Sequence, residues 1–358
     1  MDNHMEHNDF KERVKLSEGE DFIFDEKEAL VALTVFKANP SPLFVKILSI
    51  AGGLLSASLF TLFLALANVL DSEVPSTLFG GIFILGAIWA NRYLINVLLD
   101  TMNISLYTMG YILLAVGMLG LDINENSVAT IIMIVALGSF YFIRNKVLAF
   151  VTILFLNGSI LFMVLHSDSW RSLQVFVMFL LMALYLLYME EALIIQSTKK
   201  WLNLYRPVCS GFILSFLTGL FLLVHTEISE IEPENLWLSS LFNIGLILLV
   251  VHRVSMSYGK LPAGRRFFIY IVSFIALLPL VLAPGISGCL FLLIISYYNS
   301  HKTGFVLGTL ALLYFIIQYY YDLSFTLLEK SAILFVSGIF CLIIFYFVNK
   351  TFYRDGKN

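Results

Sequence analysis

Charge is what this sequence has least of. Asp, Glu, Lys and Arg make up 13% of its 358 residues, and the net charge is −3. An ordinary soluble domain is about a quarter charged. A balance this near zero argues against nucleic acid as a partner. Cysteine is scarce too: Cys209, Cys289 and Cys341 each lie inside an apolar run with no CxxC spacing. That argues against a disulfide framework or a zinc site and reads as small apolar filler. The first forty residues lack the basic-then-apolar order of a signal peptide. They are mixed in charge from Asp9 to Lys15 and acidic from Glu18 to Glu28. His4 and His7 have no third ligand nearby and are read as incidental, not as a metal site. HExxH, GxSxG, P-loop and paired intramembrane Asp motifs are missing, so nothing points to proteolysis, hydrolysis or ATP use. No catalytic residue is assigned, and no cofactor or metal is expected.

What is there is apolar. Hydrophobic residues are 59% of the chain, more than a soluble fold of this length can bury, because most of any folded surface faces water. With lipid as solvent the difficulty disappears. Runs of about 20 mostly apolar residues span a bilayer as helices. The expectation is an all-α polytopic membrane bundle of about twelve spans: Val45–Val69, Ser76–Ala90, Asn103–Leu121, Val128–Ile143, Val147–His166, Leu173–Met189, Val208–His225, Leu236–His252, Phe267–Leu282, Ile286–Tyr298, Thr303–Tyr320 and Leu327–Val348. The stretch Phe267 to Tyr298, broken at Ala283-Pro284-Gly285, reads either as two crossings or as one kinked or re-entrant element. Residues 1–42 form a cytoplasmic tail, 43–350 the membrane domain and 351–358 a second cytoplasmic tail. Within the first tail, Asp25 to Lys37 fits one amphipathic helix.

Charge placement tests the threading. With twelve spans and both termini inside, only Arg171 and Lys330 of the 22 basic residues lie outside, the asymmetry the positive-inside rule requires. Merging the two segments around Pro284 into one crossing would put Lys302 and the C-terminal tail outside. The outer loops are short and acidic. The longest carries Glu227, Glu230, Glu232 and Glu234 without a calcium-loop spacing. The longest inner connection, Glu190 to Pro207, ends in a basic, aromatic stretch suited to the headgroup layer.

Ionisable groups deep in a span would be functional suspects. His166, Glu190, Glu191, His225, His252, Arg92 and Arg144 all fall at span ends instead. Asn68, Asn157, Gln174 and Asn243 are the amides in or near spans, and amides there bond neighbouring helices. The most polar junction is Gln318 to Ser331. Tyr314, Gln318 and Tyr321 share a helix face, Thr326-x-x-Glu329 fits a capping box, and Lys330 falls in a first turn, where the helix dipole disfavours a cation. Lys330 needs a partner, with Asp322 the nearest choice and Glu329 the next. A rigid capped hairpin explains these residues. So does an outward-facing polar pocket of Tyr321, Asp322, Glu329 and Lys330 for a lipid headgroup, a glycan or a periplasmic partner.

Tyr319-Tyr320-Tyr321-x-Leu323-x-x-Thr326-Leu327-Leu328-x-Lys330-Ser331, with Gly338 after it and Pro284-Gly285-Ile286 before it, resembles an uncharacterised bacterial family of polytopic membrane proteins known as a domain of unknown function. Pro42-Leu43-Phe44-Val45-Lys46-Ile47-Leu48 with Gly52-Gly53 resembles that family's opening, although Leu43 replaces a common Trp. The likeness runs over roughly residues 20 to 350. It implies a possible partner, a second polytopic membrane protein with a GDYxxLxY motif encoded nearby, and it implies no reaction. The expected role is a subunit of an envelope assembly in the bacterial inner membrane. A transporter or flippase of a lipid-linked or weakly polar substrate is the first alternative. An intramembrane transferase acting at the outer face is the second.

Overall fold

A computed structural model describes residues 73–91, 97–167, 169–197, 199–225, 235–257 and 263–322, with scattered positions on either side. Every regular element among them is helical. In chain order these are α1 Glu73–Ala90, α2 Val97–Gly120, α3 Glu125–Phe142, α4 Lys146–His166, α5 Trp170–Met189, α6 Glu191–Ser197, α7 Lys199–Val224, α8 Leu236–Ser257, α9 Ala263–Leu277, a 3₁₀ turn Leu278–Leu282, α10 Pro284–Tyr298 and α11 Lys302–Asp322. Eight of these are long and apolar enough to cross a bilayer. The side chains they turn outward are those water would reject: Leu85 is 68% exposed, Trp89 67% and Val175 64%. Such surfaces suit lipid. Only scattered positions of the expected spans Val45–Val69 and Leu327–Val348 are described, and both tails and the loop from Glu227 to Glu234 lie outside the described residues.

Among the described residues two large apolar cores hold the bundle, beside a small one of Met109 and Leu113. The first gathers Tyr107, Tyr111, Ala136, Leu148 and Ala149 from α2, α3 and α4, with Ile84 and Ala87 of α1. The second gathers Leu173, Leu180, Phe216, Leu220, Ile247, Phe291 and Leu292 from α5, α7, α8 and α10. The helices of the first core approach closely where side chains are missing. A Cβ on Gly80 would lie 2.5 Å from the Leu114 backbone, and one on Gly110 2.9 Å from the Ile84 backbone. Lipid provides no hydrophobic drive between helices, so small residues that admit close backbone contact carry the association. Hydroxyls add to it. Tyr107 Oη lies 2.9 Å from Thr152 Oγ1 and 3.1 Å from Tyr111 Oη. Thr152 gives its own hydrogen to the Leu148 carbonyl, so Tyr107 is the donor to it.

Helix α7 runs unbroken from Lys199 through Pro207 to Val224, so the basic, aromatic stretch Lys199 to Arg206 continues into the span that the sequence reading starts at Val208. Pro207 removes one backbone donor. The turn before it is nevertheless held to the bundle. Leu204 and Tyr205 are buried, and the Tyr205 hydroxyl donates to the Leu187 carbonyl at 2.9 Å.

The stretch around Pro284 resolves into a broken hairpin. Helix α9 gives way to a 3₁₀ turn, and α10 starts at Pro284 with Ala283 as its cap. At 1.5 Å per residue the 15 residues of α10 cover only about 22 Å, less than the roughly 30 Å of a hydrocarbon core. Yet α10 is the most enclosed helix, with Gly285, Ser287, Cys289, Phe291, Leu292 and Ile295 all buried. A break at membrane depth survives only where protein shields it.

Candidate functional site

The break is clamped by Asn243. This residue is seven positions after the start of α8 at Leu236, about 10 Å along the helix axis. Its amide Nδ2 donates to the Pro284 carbonyl at 3.2 Å and to Ser287 Oγ at 3.0 Å. Ser287 donates to the same carbonyl at 3.1 Å. Pro284 has no N–H, so the first turn of α10 leaves fewer orphan donors than usual. Phe315 of α11 closes the other side. A Cβ on Gly285 would come within 2.6 Å of its ring, so only glycine admits this contact.

Around the clamp sit polar groups that protein atoms do not satisfy. Ser239 and Ser240 lie four and three residues before Asn243, on the same side of α8 and one turn nearer its start. Both are essentially fully buried, and among the described residues neither hydroxyl has a hydrogen-bond partner. Trp170 Nε1, at the first residue of α5, is likewise buried and without a partner among the described residues. One turn along α5, Gln174 Nε2 donates to the Asn235 carbonyl at the head of α8 at 3.2 Å. A buried polar atom without a partner is disfavoured by about 1–3 kcal/mol. Such groups are places where a ligand, water or a changed conformation supplies what the described residues do not.

On α11, Tyr314 meets His225, which follows the end of α7. The Tyr314 hydroxyl is 3.0 Å from His225 Nε2, and His225 Nδ1 is 3.1 Å from the Phe221 carbonyl. A carbonyl only accepts, so Nδ1 carries the hydrogen; in the neutral ring Nε2 then accepts from the tyrosine. Tyr314 thus belongs with His225 and Phe315, near the broken hairpin. Tyr321, two turns further on, is 73% exposed with its ring against Tyr320. Asp322 closes α11, but its side chain and all of Lys330 lie outside the described residues. Glu329 is exposed. The expected pocket of Tyr321, Asp322, Glu329 and Lys330 is therefore placed only at Tyr321 and Glu329.

The opposite ends of the same helices carry a second polar layer. Glu190 pairs with Arg253 at 2.9 Å. His301, between α10 and α11, is 9% exposed and accepts the Gly304 N–H on Nδ1 at 3.1 Å, capping α11. Its ring sits edge-on to Tyr188 at 5.5 Å. Burial first, and the Arg206 charge second, hold this imidazole below its ordinary range. Burial also raises the Glu191 carboxyl, which Arg206 partly offsets. Tyr188 and Ser296 hydroxyls neighbour each other beside Gly304 without reaching hydrogen-bond geometry.

The amide reading of the sequence is met where it can be seen. Asn157 donates to Ser215 across α4 and α7 at 3.1 Å, and Gln174 and Asn243 also bridge elements. Sequence reasoning missed His301, Trp170, Ser239 and Ser240. Serine in an apolar run gives little signal, and a histidine after Asn299-Ser300 reads as a loop residue until its cap is seen. Cys209 and Cys289 are buried free thiols. Among the described residues no three His, Cys, Asp or Glu side chains group to hold a metal.

These features define a multi-pass helical membrane protein with a discontinuous helical hairpin whose second limb, α10, is buried while α9 and the 3₁₀ turn stay largely exposed. The chain belongs to the family described as a domain of unknown function, DUF4401, which matches residues 42–351. No curated protein and no solved structure matches it.

Proposed function

We propose that this protein is a transporter or flippase of a lipid-linked or weakly polar substrate in a bacterial inner membrane, with the substrate's polar part received where α8 meets the start of α10. The broken hairpin carries this reading. Discontinuous helices that end at membrane depth, with polar groups beside the break, are how secondary transporters build binding sites. Here Asn243 holds the break, and Ser239 and Ser240, one turn away on α8, have no hydrogen-bond partner among the described residues. Tyr314 and His225 lie close by on the outer side of the charge-derived threading.

A cysteine probe tests it. With Cys209, Cys289 and Cys341 replaced by Ala, Ser240→Cys is exposed to a membrane-impermeant thiol reagent in intact cells and in inverted vesicles. Labelling from either face supports a site that opens. Complete protection on both faces refutes transport.

A second reading is favoured by the enclosure of the same groups. Ser239, Ser240, Asn243 and Ser287 are at most 1% exposed, as in a protein that packs rather than opens. On this reading the chain is a subunit of an envelope assembly with a GDYxxLxY-type membrane protein. Affinity purification in mild detergent checks it: a stoichiometric membrane partner supports the subunit role, and its absence speaks against it. The transferase reading rests on outer-face carboxylates and Lys330.

A further inference from the structure

A crevice of about 470 Å³ opens between α2, α3 and α4, away from the broken hairpin. Small residues create it: Ala115, Ala129, Gly158 and Ser159 line its walls, with Phe155 and Phe162. The space beside Gly158 is open, since a Cβ there would meet nothing within 4 Å. The wall is almost wholly apolar until one end. There Glu125, the first residue of α3, completes the lining, and its carboxylate lies 3.7 Å from His166 Nδ1 at the end of α4. Both groups are about half exposed, and Phe162 stacks on the His166 ring.

An apolar slot inside spanning helices that ends in a carboxylate and an imidazole at the rim has the shape of one amphiphile. We propose that this crevice binds an acyl chain of a phospholipid whose headgroup carries a primary ammonium, with the ammonium on Glu125 and the phosphodiester toward His166. The volume falls in the range of small-molecule sites, and the chain would be in contact with apolar walls along its length. The rim sets headgroup choice. A carboxylate attracts an ammonium, while a glycerol headgroup would leave the phosphate's negative charge beside Glu125 uncompensated. Under the charge-derived threading this end faces the outer leaflet.

Three full-length proteins test the proposal: wild type, Gly158→Phe and Glu125→Gln, each purified in mild detergent and extracted for lipid analysis by mass spectrometry. Wild type is expected to retain an ethanolamine phospholipid after extended washing. Gly158→Phe fills the slot without a backbone clash. Excluding two or more methylenes lowers retention by about tenfold or more. Glu125→Gln is expected to retain lipid but to lose its preference for ethanolamine over glycerol headgroups when both are offered in mixed micelles. Thermal melting checks folding, and Ala115→Leu replaces Gly158→Phe should that variant fail to fold. Undiminished lipid in the filled variant overturns the proposal. So does an unchanged headgroup preference in Glu125→Gln, or efficient disulfide crosslinking of Gly158→Cys to cysteines scanned through residues 43–70, which would make the occupant a segment of this chain.

Discussion

His301 is the residue whose chemistry is most directly testable. Its Nδ1 caps α11 by accepting the Gly304 N–H, which requires that nitrogen to be unprotonated. Tyr188 of α5 and Arg206 of α7 face it, Lys302 follows it, and burial keeps it neutral. The unfolded chain takes up a proton near the ordinary value of about 6.5, whereas the folded imidazole resists. Stability is therefore full above about pH 6.5 and falls as pH drops toward the lowered folded value. Thermal unfolding in detergent between neutral and mildly acidic pH is expected to show this loss. His301→Asn keeps a capping oxygen and should flatten that part of the pH profile. His301→Ala should lose about 1 kcal/mol at neutral pH. An unchanged pH slope in His301→Asn would remove His301 as the source.

At the scale of elements, the broken hairpin is the feature with the clearest energetics. Asn243 and Ser287 donate to one carbonyl, that of Pro284. As the first residue of α10, Pro284 also offers this carbonyl to the helix's own ladder, and Asn243 Nδ2 donates to Ser287 Oγ as well, so the two side chains share one contact. Asn243→Ala and Ser287→Ala should each destabilise modestly. Each single change already removes the Asn243–Ser287 bond, so the double variant should lose less than their sum, with a coupling of about 0.5–3 kcal/mol. Simple additivity in thermal melts would show that the clamp does not act as a unit. The close pair α1 and α2 offers a second check. Gly110→Leu drives a side chain into Ile84 and should cost about 1–3 kcal/mol or more through overpacking, read as lower yield of folded protein in detergent. Neither element was fully legible beforehand. The α10 break was visible as Ala283-Pro284-Gly285, but whether it marked an outer loop or a buried turn depends on Asn243, forty residues away.

The whole molecule raises a question of threading. A hairpin that enters and returns puts Lys302 on the same side as Lys260, as two full crossings do. The positive-inside pattern is therefore kept by either, and the count of spans is not settled by charge. Depth separates them. In a background without native cysteines, Ala283→Cys is expected to resist a bulky impermeant reagent in intact cells, because the turn sits near the level of Asn243. A cysteine at Ser229 in the acidic loop should label readily. Equal labelling would make Phe267–Leu282 and Pro284–Tyr298 two full crossings.

Composition alone determined the solvent. A chain so poor in charge and so rich in apolar runs satisfies its backbone only as helices in lipid, and the run lengths follow from bilayer thickness. Helix positions were legible because hydropathy is local. Which polar groups meet was decided by tertiary structure. Asn243 with Pro284, Tyr314 with His225, and His301 with Tyr188 are each far apart in the chain, and a hydrogen bond depends on distances in space that no window of residues contains.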